Sequence, residues 1–166
     1  GQHYLFWPTH GGELPSTAAG VGLSVGTNGI AVYEHAGGYL PPLAAYPCNL
    51  GTGWNHIAVV YDSDVATIYL NGDWVKTGQI STRGTAYAPY IVGYGSSWDM
   101  GVTYSYFTGG VDEVRLWNIA LNQSQIRDNM YTENPTAAGT ATVTEVYTSN
   151  DSFTPPEGVT EVEVLV

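Results

Sequence analysis

The chain has 166 residues, enough for one ordinary domain with a real core and a short appendage. A content of 43% hydrophobic and 13% aromatic residues excludes a disordered chain, and a lone cysteine, Cys48, excludes an internal disulfide or a cysteine-rich zinc site. With 4 Lys and Arg against 15 Asp and Glu, the formal charge of -11 repels nucleic-acid phosphates and anionic membrane surfaces.

The 21 Gly, 13 Tyr and only 11% charged residues, with no long helical periodicity, predict short strands joined by Gly-rich turns. In chain order, strands are expected near residues 3–7, 21–25, 30–34, 40–46, 54–62, 67–70, 74–76, 87–92 and 111–117. Asn28-Gly29 and Asn71-Gly72 each read as a hairpin turn, because Asn and Gly accept positive φ at both central positions. Along residues 54–61, Trp54, His56, Ala58 and Val60 share one face and Asn55, Ile57, Val59 and Tyr61 the other. Both faces are mostly apolar, which predicts a central strand covered on both sides. One short helix follows: Asn122 caps it, Gln125 completes a capping box, and Ile126 with Met130 points inward up to Tyr131. After Asn134-Pro135 the composition changes. Residues 135–140 read as a linker, and residues 141–148 and 159–166 as two strands, the start of a further domain or an added edge. The longest apolar run falls well short of the roughly 18 to 20 residues of a membrane span. The first residues lack a basic segment followed by a long apolar one, so they do not read as an uncleaved signal peptide.

Four segments stand in a fixed order ahead of the helix. They are Gly53-Trp54-Asn55-His56-Ile57-Ala58-Val59-Val60-Tyr61-Asp62, Ile68-Tyr69-Leu70-Asn71-Gly72, Ile91-Val92-Gly93, and Phe107-Thr108-Gly109-Gly110-Val111-Asp112-Glu113-Val114-Arg115-Leu116-Trp117 with Asn118-Ile119-Ala120-Leu121 behind it. With Ser124-Gln125-Ile126 in the helix, this series resembles the laminin G-like domains of the concanavalin A-like superfamily over residues 21–131. The resemblance implies an all-β fold: a two-sheet antiparallel jelly-roll sandwich over residues 1–134, with one short helix near residues 122–131. It also implies that Trp54, Val111, Val114 and Leu116 chiefly build the sandwich, and that rim loops bind sugars, proteins or calcium in different members. Two departures stand out. Relatives usually carry one or two further strands before the position of Gly1, and the loop from Tyr94 to Tyr106 is longer than the usual Gly-rich link.

That loop holds the first candidate site. Sugars present flat C–H faces to aromatic rings while a carboxylate fixes their hydroxyls, so Tyr94, Trp98, Tyr104 and Tyr106 with Asp99 form the expected ligand contact. Calcium is the one cofactor the acidic residues suit, with Asp62, Asp64 and Asp112 as candidate oxygen ligands. Asp62-Ser63-Asp64 reads more simply as a hairpin turn, and Asp112-Glu113 as partners of Arg115. Glu34-His35 is the one adjacent acid and imidazole pair; a lone imidazole makes no metal site, and a structural role is expected. Glycosidases of this fold class carry paired carboxylates on one strand, and the nearest match, Glu157 with Glu161 and Glu163, lies in the tail. No enzyme is therefore predicted. Asn122-Gln123-Ser124 and Asn150-Asp151-Ser152 fit the glycosylation sequon.

The expectation is a non-catalytic extracellular module that recognises carbohydrate or a cell-surface protein within a larger surface or secreted protein. Neither nucleic acid nor membrane insertion fits. A different class of reading is a structural module without a ligand, whose unpaired edge strands join two copies into a homodimer.

Overall fold

The computed structural model describes residues 2–8, 15–36, 40–89, 91–93 and 107–132. The predicted linker and both strands of residues 141–166 fall outside these, as does the loop from Tyr94 to Tyr106. Nine strands and one helix are described: β1 Gln2–Trp7, β2 Ala18–Gly26, β3 Gly29–His35, β4 Ala44–Pro47, β5 Ile57–Asp62, β6 Val65–Leu70, β7 Asp73–Ile80, β8 Thr85–Tyr87, β9 Ile91–Val92 and α1 Gln123–Asn129. They form two sheets. The first runs β4-β3-β2-β1-β9 with β8 alongside β2, and the second runs β5-β6-β7. All pairings are antiparallel except β2 with β8, which run parallel from Ala18↔Thr85 to Gly20↔Tyr87.

Period-two alternation places the core between the sheets. Leu5, Leu23, Val25, Ile30 and Val32 enter from the first sheet, and Ile57, Ala66 and Ile68 from the second. Burying each of the larger side chains contributes about 1.5 to 3 kcal/mol. β3 is buried along its whole length. On its other face Ala31 and Tyr33 pack with Tyr4, and Trp7 lies against them.

The Asn71-Gly72 turn has positive φ at both central residues, 51° and 79°, as the sequence predicts. The β2–β3 turn does not follow its prediction. Gly26 pairs with Gly29, so Thr27 and Asn28 are the central pair and Gly29, with φ 141°, begins the next strand. A third strand decides this register: a Cβ on Gly29 would stand 2.3 Å from the Tyr46 carbonyl oxygen of β4. Gln2 adds to it, its Nε2 donating to Asn28 Oδ1 and to the Gly29 carbonyl, both at 2.9 Å.

Several predicted strands are shorter or absent. Residues 40–43 and 54–56 stay outside β4 and β5, residues 87–92 divide between β8 and β9, and residues 111–117 form no strand. The two apolar faces of β5 suggested a central strand; among the described residues it has β6 as its single hydrogen-bonded neighbour. Val111 and Val114 do reach the core. Trp54 and Leu116 do not: Trp54 is 71% exposed and Leu116 is also exposed. The Trp54 ring lies over backbone instead, since a Cβ on Gly110 would meet it at 2.7 Å.

Helix α1 has the predicted capping box: the Gln125 N–H donates to Asn122 Oδ1 at 3.0 Å, and the Asn122 N–H donates to Gln125 Oε1 at 2.8 Å. Ile126 is its buried residue. Gln123 Nε2 and Arg127 Nε both donate to the Gly72 carbonyl, at 3.0 and 3.1 Å, and Arg127 pairs with Asp73. These contacts seat the helix on the β6–β7 turn.

Candidate functional site

Backbone alternation separates Glu34 from His35. Glu34 points between the sheets, where its Oε1 accepts from the Tyr61 hydroxyl and its Oε2 from Ser81 Oγ, both at 2.9 Å. His35 points to the opposite face, where its Nε2 lies 3.0 Å from the Tyr4 hydroxyl and its ring stands edge-on to Tyr4 and Trp7. Both side chains are buried, on opposite faces of β3. Burial pushes the Tyr61 hydroxyl up to about 12, the Glu34 carboxylate adding to it by hydrogen bond and charge. The network ties β3 of one sheet to β5 of the other.

Asp62 and Asp64 sit on the β5–β6 turn. Ser63 and Asp64 carry positive φ, 50° and 64°, and Ser63 Oγ donates to Asp62 Oδ1 at 3.1 Å. Asp112 Oδ1 accepts the Glu113 N–H at 2.9 Å, and Glu113 pairs with Arg115 at 3.1 Å. That pair forms within an irregular segment, not across a strand face. Among the described residues no three His, Cys, Asp or Glu side chains converge as a metal site. Tyr94, Trp98, Asp99, Tyr104 and Tyr106 lie outside the described residues.

An aromatic pair that sequence reasoning missed stands on the second sheet. Ile68 and Ala66 point into the core, so Tyr69 and Thr67 face outward. Tyr69 is directly paired with Trp74 of β7, and Trp74 is 55% exposed. The register shifts between Ile68 and Tyr69, where Val75 is the extra residue of a bulge. The bulge brings Trp74 and Thr77, three apart, to one face, and the indole N–H donates to Thr77 Oγ1 at 2.9 Å. The signal in the sequence was a tryptophan two residues after an Asn-Gly turn, which alternation alone could not assign to a face.

His56 precedes β5 and lies beside the Asn71-Gly72 turn. Its N–H donates to Asn71 Oδ1 at 2.9 Å, and its carbonyl accepts the Asn71 N–H at 2.8 Å. Its Nδ1 is buried and has no hydrogen-bond partner among the described residues. Burial, and then the charge of Arg115, holds the imidazole below its ordinary 6.5. The unfolded chain therefore takes up the proton first as pH falls. The stabilisation is complete above pH 6.5 and is lost as the pH drops below that value toward the depressed one. Urea midpoints measured from about pH 8 to about pH 5 should fall on the acid side, and His56→Gln should flatten that slope. An unchanged slope would remove His56 from the acid response.

Two facing, mostly antiparallel sheets joined by an internal polar network define a two-layer β-sandwich. Among the described residues no helix is long and apolar enough to cross a membrane. The chain belongs to the concanavalin A-like lectin/glucanases superfamily, whose laminin G-like family model matches residues 5–127. No curated protein matches it. Among solved structures, an S-layer domain-containing protein from Clostridium thermocellum is similar at 21% identity with a TM-score of 0.35, over 77% of this chain and 62% of that one. The chain thus spans less than two thirds of that structure's length.

Proposed function

We propose that this chain is a non-catalytic, extracellular carbohydrate-binding module of a larger surface or secreted protein. The observation that carries the reading is the exposure of two indoles, Trp54 and Trp74, in a sandwich of the lectin and glucanase superfamily. Exposed aromatic surface mostly costs solubility unless something stacks on it, and sugar rings offer the matching flat C–H faces. The loop residues Tyr94, Trp98, Asp99, Tyr104 and Tyr106 extend the proposal to a second contact. A non-catalytic role is supported by Glu34, a carboxyl already committed to two hydroxyl donors inside the sandwich.

A glycan array probed with and without calcium tests the reading. Binding to a defined set of glycans is expected, weakened by Trp98→Ala or Trp54→Ala, and loss on chelation would bring calcium into the site. A flat response under both conditions would sink it.

A further inference from the structure

We propose that the outer face of the β5–β6–β7 sheet is a platform for a neutral glycan chain, with Trp74 and Tyr69 as its stacking pair. The proposal rests on the carbohydrate-binding reading above and names the site and the ligand class. Register fixes two transverse rows on this face, Ala58–Tyr69–Trp74 and Val60–Thr67–Thr77. Three strands span about 10 Å between the outer two, enough for a short stretch of glycan lying across them. Along the first row the exposed Trp74 stands beside a half-buried Tyr69, and the small Ala58 follows on the next strand. The second row supplies the hydroxyls of Thr67 and Thr77 beside the rings, as donors and acceptors for sugar hydroxyls.

Two features prepare the platform. The indole N–H of Trp74 is already satisfied by Thr77 Oγ1, which holds the ring in one orientation and lowers the ordering cost of binding. Neither row contains an acid or a base. The carboxylate nearest Trp74 in sequence, Asp73, is engaged by Arg127. A formal charge of -11 on the chain repels uronate or sulfated glycans, so the face selects neutral ones.

Titration calorimetry of the full chain tests this with cellohexaose, xylohexaose and mannohexaose as neutral probes and oligogalacturonate as the anionic one. At least one neutral probe should bind, and Trp74→Ala and Tyr69→Ala should each weaken it by roughly tenfold or more. Trp74→Phe should retain part of the affinity, and Lys76→Ala should leave it unchanged. Circular dichroism and the urea midpoint establish that each variant folds. Binding that survives Trp74→Ala but is lost in Trp98→Ala would overturn the platform and leave the carbohydrate reading standing. Binding of oligogalacturonate alone would overturn the neutral class, and a flat glycan array would remove both readings together.

Discussion

Gly29→Ala should cost about 3 kcal/mol or more and leave a chain that is poorly folded near room temperature. Two penalties combine there. The φ of 141° lies where a side chain is rarely accommodated, and the added Cβ would stand 2.3 Å from the Tyr46 carbonyl oxygen and 3.0 Å from Pro47 Cα. Both obstacles are backbone of β4, which is paired to Gly29 through Pro47 and cannot swing aside without breaking its ladder. Gly51→Ala is the control. Its φ of 68° is also left-handed, but nothing lies within 4 Å of the new Cβ, so only the conformational cost of about 1 kcal/mol applies. Urea unfolding of the two variants separates the terms, and equal losses would mean that contact with β4 contributes nothing.

Glu34→Ala is the second large effect, a loss of about 2 to 4 kcal/mol. The substitution strands the Tyr61 hydroxyl and Ser81 Oγ between the sheets, each deprived of its carboxylate acceptor. Glu34→Gln keeps one acceptor oxygen and should cost about 1 kcal/mol or less. Pairing Glu34→Leu with Tyr61→Phe should recover much of the loss, because two apolar partners leave less unsatisfied. The same network sets the alkaline limit. With the Tyr61 hydroxyl raised from 10.0 to about 12, the folded state keeps its proton longer than the unfolded chain. Stability is complete below pH 10.0 and declines as the pH rises through that interval, a decline that Tyr61→Phe should blunt. Since Glu34 faces the interior, Glu34→Gln should leave glycan affinity unchanged; a loss of affinity with the fold intact would move the carboxyl into the binding site.

Local signals carried much of the fold. The Asn71-Gly72 turn and the capping box of α1 are short-range features, complete within a few residues, and both stand as read. The alternation of β5 was right in phase, with Ile57, Val59 and Tyr61 on the core side. Its depth in the sheet was not legible, because two apolar faces describe a central strand and a platform for ligand equally well. Trp54 failed as a core residue for the same reason: an indole before a strand can cover a glycine backbone as readily as fill an interior. The candidate pair Glu34 and His35 looked like neighbours along the chain, yet the two-residue period of β3 sends them to opposite faces.

The sequence by itself determined the class, a sandwich of short strands closed by a capped helix, since periodicity, turn chemistry and capping act over a few residues. Three things waited for the tertiary structure. Contact with β4 and Gln2 placed the β2–β3 turn one residue earlier than Asn28-Gly29 indicated. A bulge at Val75 brought Trp74 and Thr77 to the face of Tyr69, and the opposite sheet supplied the hydroxyls that hold Glu34. Each depends on a partner far along the chain, and such partners meet only when loop closure and core burial bring distant strands together.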